Sequence, residues 1–285
     1  MNHQLAPHNT FLLSIVTITF NNFEDLLHTV ESVRDLEHCE HIIINGGNCL
    51  KTLAFLKNFS GRSISEPDQG ISDAFNKGIL LSTGDAIIML NSGDILLDRT
   101  YPSRASQILD QDSEIDFVHA DLIFEDRLIG SYVMRPLRTK NTLYPHIGRG
   151  MPYRHQSMVV RKKIYDRVGL FNLKYICSDY DWVCRWESSL KKSHGKAYYS
   201  QDKPVVIMEG RGISSTQESR IILEAIHITI QRIKNNSFLE KTISYLALFR
   251  RLALFSCRLL LVKLGFIYIL LIIKRLKYKR FLTIK

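Results

Sequence analysis

Apolar residues along the first ninety positions alternate between two rhythms. Leu13–Phe20 (LSIVTITF) is a compact β-branched run and predicts a buried strand. Asn21-Asn22 ends it, and Phe23–Arg34 then sets Leu26, Leu27, Val30 and Val33 at helical spacing. His41–Ile44 predicts a second strand, stopped by Asn45-Gly46-Gly47. Leu50–Phe59 follows a helical pattern and Arg62–Ser65 is a brief third strand. Gly70–Leu81 predicts a helix with Ile71, Ala74, Phe75, Gly78 and Ile79 inward. Gly84 ends it, and Ala86–Leu90 (AIIML) is a fourth buried strand, closed by Asn91-Ser92-Gly93-Asp94. Strands alternating with helices imply an α/β fold, a mostly parallel sheet flanked by helices. Ligands of such sheets bind at the carboxyl ends of the strands. Those ends here are Phe20-Asn21, Asn45-Gly46-Gly47, Glu66-Pro67-Asp68 and Asn91–Asp94, all polar.

The second half is less regular. Phe117–Phe124 and Gly130–Val133 predict strands joined by a charged turn. Asn141–Arg154, rich in Pro, Gly, Tyr and His, predicts a long loop. Gln156–Val160 predicts a strand and Lys162–Val168 a short helix. Ser178–Leu190 predicts a helix opened by Ser178-Asp179 as an N-cap pair. Val205–Met208 is a further strand and Glu209–Thr216 a Gly-rich loop. Thr216–Ile233 is a helix on which Ile221, Ile222, Ala225, Ile228 and Ile233 recur. There is no internal repeat and no low-complexity linker.

Charge changes the picture at one end only. The 285 residues carry 38 Lys and Arg against 28 Asp and Glu, a net +10. Residues 241–285 hold eleven of the basic residues and no acid, so residues 1–240 are close to neutral. A nucleic-acid binder with a basic face across its fold is therefore not expected, and 45% apolar residues exclude disorder of the body. The cysteines, Cys39, Cys49, Cys177, Cys184 and Cys257, form no CxxC pair, which predicts reduced thiols and a cytoplasmic chain. The polar start MNHQLAPHNT predicts no export signal.

Within the tail, Leu264–Ile273 is a ten-residue run without charge, short of the roughly 20 residues a spanning helix needs. Extending it back to Leu252 encloses Arg258 and Lys263, each costing about 2.5–3.5 kcal/mol on the insertion scale. The pattern favours an amphipathic helix, or pair of helices, lying in the interface of an anionic membrane. A helix packed on the body or on a second subunit, and a short transmembrane or re-entrant segment, are the alternatives. The expected division is a catalytic domain over 1–235, with halves at 12–100 and 101–235, and a basic apolar tail over 236–285.

Several polar clusters suit chemistry. Asp94 ends a hydrophobic strand, where its carboxylate either holds a divalent cation against a diphosphate or closes a plain turn and caps a helix. Asp68 either lines a site or caps the helix that follows. Asp73, Asn76 and Lys77 recur along that helix, with Asp73 and Lys77 spaced for an ion pair. Asp179 and Asp181 open a helix, where a carboxylate suits a general base toward a hydroxyl or belongs to a capping network. His155 alone reads as readily as a hydrogen-bonded structural residue. No G-x-G-x-x-G, P-loop, G-x-S-x-G or H-E-x-x-H motif is present.

Together SIVTITFNN (14–22), IIINGGN (42–48), SEPDQGISDAFNKGILLSTGD (65–85), IIMLNSGD (87–94), HQSMVV (155–160) and SDYDW (178–182) resemble family 2 glycosyltransferases. These are inverting enzymes with the nucleotide-sugar-binding GT-A fold. Within the family the chain is similar to the branch that builds bacterial surface polysaccharides, including colanic-acid and O-antigen transferases. The resemblance implies a donor-nucleotide site of Thr19, Asn21, Asn45, Asp68, Gly70, Asp73, Asn76, Asn91 and Ser92. It implies Mn or Mg at Asp94 and a catalytic base at Asp179. His155, Gln156 and Asp181 would stand by the acceptor, with Gly212 and Ser214 in a loop over the site. The chain departs from the family pattern at Asn45, often Asp, and at Asn91 and Gly93, where further acids are usual. An amide oxygen at 45 can still accept a hydrogen bond, and diphosphate and water can complete a metal shell around one carboxylate.

The implied reaction moves a hexose, galactose or glucose, from a UDP-sugar to a polyprenyl-diphosphate-linked saccharide. The implied setting is the cytoplasmic face of the bacterial inner membrane, bound peripherally through 241–285. A sugar-phosphate nucleotidyltransferase should carry a Gly-rich basic loop after the first strand, and Phe20-Asn21-Asn22 offers none. A non-catalytic membrane-binding module leaves the acids at the strand ends without a use.

Overall fold

The computed structural model describes residues 10–126, 130–136, 151–190, 195–200, 203–210, 212, 217–233 and 238–263, with five single positions beyond. The expected loop over 141–154 is described only from Met151. Among the described residues two sheets form. The larger has seven strands in the order β10-β6-β9-β4-β1-β2-β3. These are β1 (Leu13–Thr19), β2 (Cys39–Asn45), β3 (Arg62–Ser65), β4 (Ala86–Asn91), β6 (Ile115–Ala120), β9 (Val159–Arg161) and β10 (Lys196–Ser200). All pairings are parallel except those of β9, which runs antiparallel between β4 and β6. The smaller sheet has the order β5-β11-β7-β8, from β5 (Ile95–Leu96), β7 (Leu122–Asp126), β8 (Gly130–Met134) and β11 (Val206–Glu209).

Every residue of β1 is buried, as a central parallel strand covered on both faces requires. Its alternate side chains feed two cores. Val16 and Ile18 join Ile42, Met89, Phe75, Phe171, Trp182 and Trp186, whereas Leu13 and Ile15 join Ile88, Leu90, Tyr101, Ala105 and Leu109. Two polar residues of the strand are matched across the ladder. Ser14 donates to Glu40 Oε1 (2.5 Å), and Thr17 Oγ1 meets His41 Nε2 (2.9 Å).

The helices are α1 (Phe23–Ser32), α2 (Leu50–Leu56), α3 (Ile71–Leu81), α4 (Tyr101–Gln111), α5 (Lys162–Val168), α6 (Ser178–Ser189), α7 (Glu218–Ile233) and α8 (Phe238–Lys263). The first four strands match the pattern to within two residues at each end. Ala74, Phe75, Gly78 and Ile79 of α3 face inward as expected. The pattern overlooked α4, whose inner face is Tyr101, Ala105 and Leu109 among polar residues, with Pro102 in its first turn. It also overlooked β10.

Two expected strands are corrected. Phe117–Phe124 is not one strand, because the chain changes sheets at Asp121 between β6 and β7. The Asp121 carbonyl accepts from Val205 N (3.0 Å) and its Oδ1 from Tyr199 Oη (2.6 Å). Gln156–Val160 opens as a 3-10 turn over His155–Ser157 before β9. There Ser157 Oγ donates to the Ala120 carbonyl (2.8 Å) and accepts Ala120 N–H (3.2 Å), replacing strand pairing. The expected Ser178-Asp179 cap is also corrected. Cys177, not Ser178, is the N-cap of α6 and its side chain makes no cap hydrogen bond, while Asp179 Oδ1 takes Tyr180 N–H in the first turn.

His41, edge-on to the Phe59 ring at 5.3 Å, is pushed by burial down to about 4. An imidazole that resists protonation when folded stabilises the fold above the unfolded pKa of 6.5, and that contribution is lost as pH falls toward 4. Urea unfolding at pH 7.5 and pH 4.5 should show a loss of up to about 3 kcal/mol, and His41→Gln should shrink the difference between the two pH values.

Candidate active site

The carboxyl ends of β1, β2 and β4 lie side by side, and their loops are tied by side chains rather than by regular pairing. Thr19 Oγ1 donates to Asn22 Oδ1 (2.8 Å), and Asn22 Nδ2 donates to Ser92 Oγ (2.6 Å), joining the ends of β1 and β4. Asn21 adopts φ 56, a left-handed conformation that Asn tolerates. Its Oδ1 accepts the N–H groups of Asn48 and Cys49 (2.8 and 3.0 Å), holding the entry to α2. Beside it Phe20 is 65% exposed. Sequence reasoning passed over this aromatic because it closes a buried run.

Asn45 is fully buried. Its Nδ2 donates to the Gly47 carbonyl (2.9 Å) and to Ser65 Oγ (2.8 Å), and its Oδ1 accepts Gly47 N–H (3.2 Å). Two of these bonds need a donor that the family's aspartate lacks, so the amide here fixes the loop after β2. A Cβ on Gly46 would sit 1.7 Å from Asp68 Oδ2, so a side chain at 46 would displace the Asp68 carboxylate.

The segment from Glu66 to Gly70 is drawn onto α3. Asp68 Oδ1 accepts Gly70 N–H (2.9 Å), and Asp73 Oδ2 accepts Gln69 N–H (3.0 Å). Gly70 is the N-cap of α3. The expected Asp73–Lys77 pair forms (3.4 Å), and the same ammonium reaches Glu66 (2.9 Å) and the Pro67 carbonyl (2.9 Å).

Asn91-Ser92-Gly93-Asp94 forms a turn in which Asp94 N–H bonds the Asn91 carbonyl (3.0 Å) and Asp94 Oδ2 accepts Asn91 N–H (2.8 Å). No helix follows it, so Asp94 is not a helix cap; β5 begins at Ile95. Asp94 is 2% exposed, and burial pushes its carboxyl up to about 7. The neighbouring Asn91 Oδ1 is buried without a hydrogen-bond partner. Two hard oxygens, one of them orphaned, fit a Mg- or Mn-type ion that completes its shell from diphosphate and water. Among the described residues no group of three His, Cys, Asp or Glu converges on a metal position. Gly93 has φ 102, and a Cβ there would lie 2.8 Å from Glu209 Oε2. The β5–β11 pairing brings this second carboxylate to the turn. Only the fold could reveal it, since Glu209 lies far along the chain.

Across α3 the segment leading to α6 is clamped. Asn76 Nδ2 donates to the Phe171 carbonyl (2.9 Å) and Asn76 Oδ1 accepts Phe171 N–H (2.8 Å). Ser72 Oγ bonds the Tyr175 carbonyl (3.0 Å) and Ser178 Oγ (2.7 Å). Asn76, expected in the nucleotide pocket, is therefore engaged inside the protein. Asp181, expected beside the acceptor, is likewise buried between Arg185 (2.8 Å) and Arg232 (3.2 Å).

Asp179 stands in the first turn of α6, partly exposed, its Oδ1 accepting Tyr180 N–H (2.8 Å). Burial pushes the His155 imidazole below its ordinary range, and the Asp179 carboxylate offsets part of that shift, which brings the two residues into one electrostatic neighbourhood. The imidazole is edge-on to the rings of Phe75 (5.4 Å) and Phe171 (5.8 Å). Gln156 beside it is buried. Gly212 is exposed, and Ser214 lies outside the described residues.

A family model described as Glycosyl transferase family 2 matches residues 14–169. A PGL/p-HBAD biosynthesis glycosyltransferase of Mycobacterium bovis (strain BCG / Pasteur 1173P2) is 26% identical over 156 residues, covering 51% of this chain and 57% of the relative. An uncharacterized glycosyltransferase of Mycobacterium tuberculosis (strain ATCC 25618 / H37Rv) is 28% identical over 181 residues, covering 61% of this chain and 68% of the relative. The match thus spans little more than half the length of the first of these. Among solved structures, S. aureus TarS 1–349 in complex with UDP-GlcNAc superposes with TM-score 0.62 at 13% identity, over 85% of this chain and 71% of that one. The mannosyltransferase PcManGT from Pyrobaculum calidifontis, in complex with GDP-Man and Mn2+, gives 0.62 at 12% identity, over 88% and 76%. The shared architecture is the GT-A fold.

The loop chemistry at Asn45 is open to test. Asn45→Asp removes the donor to the Gly47 carbonyl and sets two acceptors face to face in a buried site. Urea denaturation should show a loss of about 2 kcal/mol, whereas Asn45→Ser, which keeps a donor, should lose less.

Proposed function

Because the chain belongs to glycosyl transferase family 2, we propose that it is an inverting hexosyltransferase that uses a UDP-sugar, with galactose or glucose as the sugar. The observation that carries this reading is the meeting of two kinds of polar surface around α3. On one side are the fixed loops at the ends of β1, β2 and β4, and on the other is Asp179 with His155. TarS and PcManGT, which share the fold, hold nucleotide sugars. The exposed Phe20 ring offers a face on which a base can stack. Asp94 with Asn91 would hold a divalent cation, which when bound supplies positive charge to the departing diphosphate.

Asp179 takes the proton of the acceptor hydroxyl. The hydroxyl oxygen then forms its bond to the anomeric carbon as the bond from that carbon to the UDP oxygen breaks, and UDP leaves with the bonding pair. One displacement inverts the centre, so an α-linked donor gives a β-linked product. His155, edge-on to the Phe75 and Phe171 rings, would stand with the base beside the acceptor. In an assay with UDP-galactose and UDP-glucose on a synthetic GlcNAc-diphosphate lipid, Asp179→Asn should lower kcat by at least about a hundredfold and leave UDP binding by calorimetry unchanged. An active Asp179→Asn enzyme, or an α-linked product from an α-linked donor, overturns the assignment.

The acceptor we propose is a polyprenyl-diphosphate-linked saccharide used in surface-polysaccharide assembly, met at the cytoplasmic face of the inner membrane. α8 supports this. It buries Ser244 and Leu248 and leaves Tyr245, Leu246, Phe249, Leu252, Leu254 and Leu260 exposed, within a segment of eleven basic residues and no acid. Among the described residues no helix is long and apolar enough to cross a membrane. An apolar face flanked by cations suits the interface of an anionic bilayer. In flotation, the chain should rise with vesicles containing phosphatidylglycerol and remain below with neutral ones. Serine at Leu246, Phe249 and Leu260 should abolish the rise at unchanged charge, and a triple variant that still floats removes α8 as the docking face.

A further inference from the structure

We propose that Glu224 is a positioning residue for Asp179: from α7 its carboxylate holds the main chain at the entry to α6 and so sets where the base stands. The inference rests on the reading of Asp179 as the base. An α-helix leaves its first N–H groups without partners inside the helix, and a side chain at the N-cap ordinarily takes one of them. In α6 the N-cap is Cys177, and it makes no such bond. The chain approaching that turn is held from α7 instead. Glu224 Oε2 accepts the N–H of Ile176 (2.7 Å) and of Cys177 (3.2 Å). The other carboxylate oxygen is fixed one turn away by Arg220 Nε (2.9 Å). The Glu224 carboxylate is thus anchored at both oxygens.

The same stretch is gripped from the opposite side. Ser72 of α3 bonds the Tyr175 carbonyl and Ser178 Oγ. Residues 175–178 are therefore held by two helices at once, and Asp179 is the next residue. Further along α6 and α7 the contact continues through Tyr180 Oη to Thr229 Oγ1 (3.1 Å) and through Arg232 to Asp181, with Cys177, Tyr180, Cys184, Ala225 and Ile228 packed between them. These later contacts join the helices. Glu224 acts on the turn that carries the base. An error of about 1 Å in a reacting group costs on the order of a hundredfold in rate, so loss of one of two grips should register in turnover. None of the loops after β1, β2 or β4 touches Glu224 through a described hydrogen bond, so donor binding should be indifferent to it.

The test uses the full chain, UDP-galactose and UDP-glucose as donors and the GlcNAc-diphosphate lipid as acceptor. Glu224→Ala should lower kcat by about tenfold or more with the KM for the UDP-sugar within twofold of the parent, and should speed amide exchange at 176–180. Glu224→Gln keeps an oxygen able to accept both N–H groups and should restore kcat to within about threefold. Thr229→Val, which breaks the Tyr180 bond between the same helices without touching 176–177, should lower the melting temperature and spare kcat. Asp179→Asn is measured alongside. If it is inactive and Glu224→Ala turns over like the parent, the positioning role is wrong while the base stands. The role is equally wrong if Glu224→Gln is as slow as Glu224→Ala, or if Thr229→Val loses kcat to the same extent. An active Asp179→Asn removes the base and the inference together.

Discussion

The paired hydrogen bonds between Asn76 and the main chain of Phe171 are the constraint on which the site depends. A side-chain amide and a peptide unit satisfy each other at both ends, in the buried interior, across 95 residues of sequence. Removing one partner would leave the other buried and unsatisfied, at about 1–3 kcal/mol. The consequence reaches beyond stability. Asn76 lies on α3, whose first turn receives the loop after β3, and Phe171 lies on the segment that delivers Asp179. The Phe171 ring also packs in the same core as Val16, Ile42 and Trp182. The strand-end loops and the proposed base are therefore tied together through α3 and a shared core, as a reaction that joins two substrates in a fixed geometry requires.

A second regularity is the use of polar side chains at the strand ends. Thr19, Asn21, Asn22, Asn45, Ser92 and Asp94 all make hydrogen bonds within the protein. These loops carry little regular secondary structure, so each loop N–H and C=O needs a partner of its own. Short Asn, Asp, Ser and Thr side chains supply such partners locally. The same residues that look reactive in sequence thus shape the backbone in structure. Phe20 and Asn21 are exposed there, whereas the Asp94 carboxyl is buried and burial opposes its ionisation.

How much was legible follows from this division. The buried parallel strands β1, β2 and β4 were readable because both faces of each are covered and the apolar runs are unbroken. Helix α3 was readable from its spacing. Helix α4 was not, because its inner face relies on Ala105 and on a Pro-containing first turn. The switch of sheets at Asp121 was hidden because β6 and β7 are separated by one residue and apolar residues, Ala120 and Leu122, flank it on both sides. At the candidate site, the polar strand-end segments were legible and the partners of several side chains were not. Asn76 and Asp181 carry the right chemistry in the right segments, yet their partners, Phe171 and Arg232, are settled only by long-range packing. Glu209 and Glu224 had no local signal, since each matters through a residue far away in sequence.

The basic excess of the tail also takes a different meaning once α7 is seen. A boundary near 235 separates charge well, but the hydrogen bonds ignore it in one respect. α7 ends next to that boundary and is bound into α6 by Glu224, Thr229 and Arg232, while α8 beyond it is in contact with α7 and has Ser244 and Leu248 buried. A force acting on the outer face of α8 is therefore one contact layer from the helix that holds the turn of Asp179. The lipid-linked acceptor proposed above would not leave the bilayer, so the proposed base would have to stand at a defined height above the surface. With the docking face proposed for α8, building the support of the proposed base from the neighbouring helix would fix that height by packing.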